Sequence, residues 1–395
     1  VVEALPNTSS GAEISNGILG CHCCLFPVVA GIPVMHLQSE AVAARAAIEA
    51  GAPDRAFREL VAPGDEALAR RFEKAAVSSS ATYRDLVDLL GAGFEGGYFL
   101  HRFSDPSFVV ANTLVRVVAG AVLGEEGRAI DLCGGSGHLS RTLLGLSSSA
   151  PVIADLSFAK LWLASNFVSP GCEPVCCDSN APLPFSRGSF RFALCADAFM
   201  FVWTKRQLVS EMARLIEGRG PGALVITHAH NAAVWSPSHG QALSHAGYRD
   251  LFETLEPRLF AESGLLDDVV SGGPLDLSRR DTADTLDADP ALDIVAVRGG
   301  DVFRRHTLPV VDAAPGVLRL NPHYEVETSG ATARLRLRFP SPEYEEEFGA
   351  CRRYLPDDVI VARTTLEDLA AGRRSGPLLE LLRHRVVLAL PARYC

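Results

Sequence analysis

Four short apolar runs in the middle of the chain each finish in an aspartate, and no other feature restricts the fold as strongly. Residues 129–130 lead into Asp131, 151–154 into Asp155, 174–177 into Asp178 and 192–196 into Asp197. Across 125–262 such strand-like runs alternate with amphipathic, helix-like segments. That alternation specifies an α/β fold: a doubly wound, mostly parallel sheet of the seven-stranded type, covered on both faces. Ligands of such sheets bind outside the carboxyl ends of the strands. Aspartate is also a favoured helix N-cap. One of these residues alone carries that reading; four in succession point to a shared cleft.

The first strand runs into Cys133-Gly134-Gly135-Ser136-Gly137, after which Leu139, Leu143 and Leu146 mark one face of a helix. Glycines let the backbone turn sharply and let a ligand approach without an intervening side chain. Backbone N–H groups at the helix start face that ligand. A dinucleotide fingerprint would place another glycine three residues after Gly137, where Ser140 stands. A phosphate-binding loop would end in Gly-Lys-Ser/Thr, and the lysine is missing. An acid before the loop suits a ligand with a cationic end. Asp155 is placed to accept ribose hydroxyls, and Asp178, with Ser179 beside it, to accept from an adenine amino group.

Asp131-Leu132-Cys133-Gly134-Gly135-Ser136-Gly137-His138 resembles motif I of the class I S-adenosylmethionine-dependent methyltransferases. Leu183-Pro184-Phe185, Gly188-Ser189-Phe190 and Asp197 resemble the segment before and along strand four of the ubiquinone-biosynthesis type. Arg214-Leu215-Ile216 and Gly220-Pro221-Gly222-Ala223-Leu224 resemble its following helix, turn and fifth strand. The resemblance covers about 120–260. It implies S-adenosylmethionine as cofactor, with Gly135 and Gly137 lining its methionine end and Gly134 and Ser136 of the same loop also binding it. It also implies Asp155 and Leu156 at the ribose and Asp178 and Ser179 at the adenine, with Asp131 and Asp197 completing the set. Cys133 departs from the family, which usually has its first glycine there.

The flanking regions read differently. Residues 1–37 are rich in Gly, Pro and Cys and are expected to form a small β-ribbon. Gly17-Ile18-Leu19-Gly20-Cys21, Phe26-Pro27-Val28-Val29 and Gly31-Ile32-Pro33-Val34-Met35 resemble the zinc-ribbon activator subunit of tRNA and translation-factor methyltransferases. Structural zinc wants four ligands. Only one CxxC pair, Cys21 and Cys24, is present there, so a degenerate, metal-free segment packed on the catalytic domain is expected. Residues 38–124 form a helical lid, in which Gly97-Tyr98-Phe99-Leu100-His101-Arg102-Phe103 precedes a helix at 108–122. Tyr98 and Arg102 are assigned to the cofactor, because guanidinium suits its carboxylate. Residues 263–395 are mixed α+β, expected to complete the sheet and cap the acceptor pocket or mediate a homodimer. Strands are expected at 293–297 and 385–390, a hairpin within 319–339 around Ser329-Gly330, and a helix at 366–371 capped by Thr364 or Thr365.

Thr227-His228-Ala229-His230-Asn231 follows the fifth strand, so His228 and His230 are the expected catalytic bases or acceptor contacts. His138, His239, Tyr98 and Tyr248 are weaker candidates. The net charge of -10 opposes nucleic acid and favours small-molecule or protein substrates; the leading expectation is a small-molecule acceptor, methylated at oxygen or nitrogen rather than carbon. Alternatives are methylation of RNA or protein, aminocarboxypropyl transfer from the same cofactor, and a non-catalytic binding module. Ten cysteines, several inside apolar runs, fit a reduced cytoplasmic protein. No run is long enough for a bilayer, and the start does not read as a secretory signal.

Overall fold

A computed structural model describes residues 3–10, 13–91, 95–236, 240–308 and 316–395, the first of these segments as backbone only. His239 lies outside the described residues. The central sheet has seven strands: β1 (Ala129–Leu132), β2 (Val152–Asp155), β3 (Glu173–Cys176), β4 (Phe192–Ala196), β5 (Gly222–His230), β6 (Pro257–Ala261) and β7 (Ala291–Arg298). Their order is β3-β2-β1-β4-β5-β7-β6. β7 runs antiparallel to β5 and β6, while β1 to β5 pair in parallel. The chain winds outward from β1 to β3, then returns to β4 on the other side of β1. That reversal opens a crevice between β1 and β4. β7 lies within the C-terminal region and stands between β5 and β6.

Strand periodicity sorts the two faces. Phe192, Leu194 and Val225 join the core under the helix Pro106–Val122, with Val110 and Leu114 facing them. Ala193, Cys195, Leu224 and Ile226 join the opposite core with Leu208 and Met212 of the helix Lys205–Leu215. Every residue of β5 is buried, as in a strand covered on both sides.

Three additions surround this sheet. Four antiparallel strands between Glu3 and Pro33 form the N-terminal ribbon. Val34 then bridges to Cys176, and Met35 N–H donates to the Cys176 carbonyl at 2.6 Å, so the ribbon's exit covers part of the exposed edge at β3. Helices fill the segment from Ser39 to Val122. In the C-terminal region Tyr324–Ser329, Thr332–Leu337 and Asp358–Ala362 form a three-stranded antiparallel sheet, with the expected turn between Ser329 and Thr332. The helix there is Arg363–Ala370 with Ala362 at its N-cap, so Thr364 and Thr365 lie inside it. The helix leaves its strand without a break, and the Arg363 N–H is already satisfied by the Ala331 carbonyl at 2.9 Å. Among the described residues no single helix is long and apolar enough to cross a membrane.

Candidate active site

A cavity of about 580 Å³ lies at the crevice between β1 and β4. Its floor comes from Asp131, Asp155 and Asp197 at the tips of β1, β2 and β4 and from the backbone of Cys133 to Gly135. Tyr98, Phe99 and Arg102 close one side, and Tyr344, Glu347 and Phe348 roof it. The last three belong to or border the helix Pro342–Phe348, so the C-terminal region caps the cavity.

The loop after β1 is held by the neighbouring strand. Gly134 N–H donates to the Ala154 carbonyl at 3.1 Å. Asp155 accepts from Gly135 N–H at 2.9 Å and from Ser157 N–H at 2.8 Å, one on each oxygen. A Cβ on Gly134 would sit 2.8 Å from Ile153 Cγ1 and 2.9 Å from Asp131 Cγ. Cys133 adopts a φ of 55°, the left-handed conformation that glycine takes without strain. The loop therefore keeps its shape despite the missing glycine. Gly137 plays a different part from the one expected. A Cβ there would lie 2.2 Å from Ser169 Oγ, so this glycine permits close packing of loop on helix and, like the buried Ser136, does not line the cavity.

Three of the four strand-end aspartates converge, and Asp178 does not line the cavity. One Asp178 oxygen accepts from the Asn180 backbone N–H at 2.8 Å and its side-chain amide at 3.1 Å, while Ser179 Oγ lies 3.3 Å from Cys133 Sγ. Leu156 is 40% exposed and also stands outside the wall. Asp131 is fully buried, and burial pushes its pKa up to about 7 against the hydrogen bond from Ser140, at 2.6 Å.

Arg102 is buried as well, and its carboxylate partner comes from the protein. Its guanidinium lies 3.4 Å from Asp197 Oδ2 and 2.6 Å from Ser107 Oγ, with the Tyr98 ring beneath it. Tyr98 OH donates to the same Asp197 oxygen at 2.9 Å. These two residues, expected to grip the cofactor, thus first fix Asp197. Burial opposes ionisation of Asp197, but His228, Arg102 and the Tyr98 hydroxyl outweigh it and hold its pKa below the usual range.

A β-bulge shapes the β5 tip. Leu292 pairs with Ala229 but Ile294 pairs with Ile226, so Thr227 and His228 together oppose Asp293. His228 takes a φ of 52° and donates its backbone N–H to Asp293 Oδ1 at 3.2 Å. Bulges commonly re-aim side chains beside active sites. His228 Nδ1 lies 2.9 Å from both Glu262 oxygens, and its Nε2 lies 3.9 Å from Asp197 Oδ1. Burial works against its charge, yet Glu262 and Asp197 push its pKa up to about 10. That shift favours the imidazolium over the neutral ring that a base would need. His230, two residues on, is held near 4 by burial and by His228, and stays neutral.

Several cavity residues were not singled out in the sequence. Lys160, five residues after Asp155, lies 3.2 Å from Glu95 and over the Phe99 ring; a lysine one turn into the helix after β2 was a readable signal. Tyr344, Glu347 and Phe348 offered none, being roughly 200 residues from the glycine loop in sequence. His138 lines the wall but its Nε2 is 2.9 Å from Tyr394 OH, and Tyr248 OH donates to the His230 carbonyl at 2.7 Å. In the ribbon, Cys21, Cys23 and Cys24 bring three thiols together.

No family model matches the sequence, and no curated protein matches it either. The chain is similar to several solved structures over about half its length. One is the YcgJ protein from Bacillus subtilis, at 16% identity over 48% of this chain and 98% of that one, with a TM-score of 0.34. Another is geranyl diphosphate C-methyltransferase from Streptomyces coelicolor A3(2), at 15% identity over 45% and 73%, with a TM-score of 0.33. A third is the [4+2]-cyclase SpnF, at 14% identity over 48% and 81%, with a TM-score of 0.35.

Proposed function

We propose that this protein binds S-adenosylmethionine in the cavity and transfers its methyl group to a small-molecule acceptor, at oxygen or nitrogen. The observation that carries the reading is the union of a side-chain-free backbone bend at Gly134 and Gly135 with the carboxylate of Asp155 in one wall. The cavity volume falls within the range of small-molecule sites, roughly 300–1,000 Å³. Its wall carries Asp131, Asp155 and Asp197 together with Glu95, Glu343 and Glu347, against Lys160 and Arg102, each already facing a carboxylate. Such a lining favours a cationic sulfonium and amino group and disfavours a diphosphate.

The cofactor supplies a methyl group already activated on sulfur, so the chain's own task is alignment and exclusion of water. Tyr98, Phe99 and Phe348 provide an apolar screen over the charged floor. His228 and His230 stand beside Asp197 at the β5 tip and are the candidate groups for contact with the acceptor.

Calorimetry of the full chain with S-adenosylmethionine and S-adenosylhomocysteine tests the reading. Binding of both at one per chain is expected, followed by turnover in a screen of hydroxyl and amine acceptors. Absence of heat with either compound would sink it and favour a non-catalytic module.

A further inference from the structure

We infer that Asp197, His228 and His230 form a binding site for one divalent transition-metal ion of the zinc type, at the acceptor side of the cavity. One donor atom from each of the three lies within 4.8 Å of the other two. They come from the tips of adjacent strands β4 and β5, where the sheet's own register holds them together.

The donor set is prepared atom by atom. Asp197 Oδ2 is taken by Tyr98, Ser107 and Arg102, which leaves Oδ1 directed toward His228. His228 Nδ1 faces Glu262, which leaves Nε2 as its donor, 3.9 Å from Asp197 Oδ1. A ligating histidine whose other nitrogen meets a carboxylate is the usual outer-shell arrangement at metal sites. His230 shares the strand face of His228, with ring centroids 5.2 Å apart, and its Nδ1 lies 3.3 Å from Ser236 Oγ. The bulge and the left-handed backbone at both Asp197 and His228 aim these groups. Two imidazoles and one carboxylate select zinc-like ions over magnesium or calcium, and they leave coordination positions open.

Asp197 also lines the cavity, and Glu347 and Phe348 border both the cavity and His228. The site therefore adjoins the cavity. On the methyl-transfer reading, on which this last step rests, the ion would hold an acceptor oxygen and acidify its O–H, the released proton passing to Glu347 in the wall and on to solvent.

The test uses the full chain with Cys21, Cys23 and Cys24 changed to Ser, so that ribbon thiols cannot compete, stripped with chelator and titrated with Zn²⁺. One equivalent should bind, and His230→Ala should weaken it at least 100-fold. Glu262→Gln should weaken it by roughly 10–100-fold. No binding, or binding unchanged in His230→Ala, overturns the inference. Should His230→Ala fail to fold, X-ray absorption at the zinc edge of the Ser-substituted chain decides. Two imidazoles with oxygen ligands support the site, and a shell without imidazole overturns it. S-adenosylmethionine binding is measured on the same sample. Zinc binding without nucleoside binding sinks the methyl-transfer reading and leaves the metal site standing; nucleoside binding without zinc does the reverse.

Discussion

The two halves of the cavity are built on different physical terms. The β1–β2 side is a backbone device: Gly134 and Gly135 turn over Ile153, and one carboxylate, Asp155, ties the bend to the next strand. The β4–β5 side is a side-chain device, in which Arg102, Asp105, Asp197, His228, Glu262 and Asp293 bury charge and potential charge together. The first tolerates little change of shape, the second little change of charge. Buried charges persist only where each meets an opposite charge or hydrogen bonds, so the second half stabilises the protein only as a complete network.

The sharpest way to break this contrast is Arg102→Ala. It leaves Asp197 and Asp105 buried without their cation, and loss of one partner of a buried pair costs about 3–5 kcal/mol. Urea unfolding should show that loss; a change below about 1 kcal/mol would mean the network is not cooperative. Asp155→Asn addresses the other half. The amide turns its NH2 toward one of the two backbone N–H groups that the carboxylate accepts, so stability should fall by about 1–3 kcal/mol, and S-adenosylmethionine binding should weaken by about 1.5–3 kcal/mol, the worth of hydrogen bonds to a charged group. Calorimetry beside urea unfolding separates the two effects.

Asp131 sharpens the comparison through pH. Its folded pKa, about 7, lies above its ordinary value, so the folded state holds a proton that the unfolded state releases at lower pH. Its contribution is complete below about pH 4 and is lost as pH rises through 7. Between those limits the wild type should lose up to about 1.4 kcal/mol per pH unit more than Asp131→Asn. Parallel stability profiles would exclude a buried, protonated Asp131. The smallest effect is expected for Tyr344→Phe, which removes the hydroxyl that donates to Asp105 from the cap. A loss of about 1 kcal/mol in urea unfolding is expected, with nucleoside binding unchanged. Weakened nucleoside binding would give the cap a role in holding the cofactor.

Legibility in the sequence follows the same division. The seven-stranded sheet, the glycine bend and the strand-end carboxylates depend on short-range pattern, and Asp131, Asp155 and Asp197 line one cavity. Within that bend, the pattern could not tell a glycine that lines the cavity, Gly135, from one that packs on a helix, Gly137. Nor could it show that Asp178 spends an oxygen on Asn180 outside the cavity wall. The ionisation of the histidines was out of reach for a stronger reason. The pKa of His228 rises because Glu262 and Asp197, 34 and 31 residues away, both reach it.

Strand periodicity, turn chemistry and the order of apolar runs are local properties, and from them the sequence alone determined the sheet, its crevice and the acids that floor it. Tertiary structure alone decided what roofs the crevice and which groups within it carry charge. The helix Pro342–Phe348 reaches the β1 tip only through folding of the whole chain. Proton occupancy depends on burial and on neighbours in space, and neither of these is a function of distance along the chain.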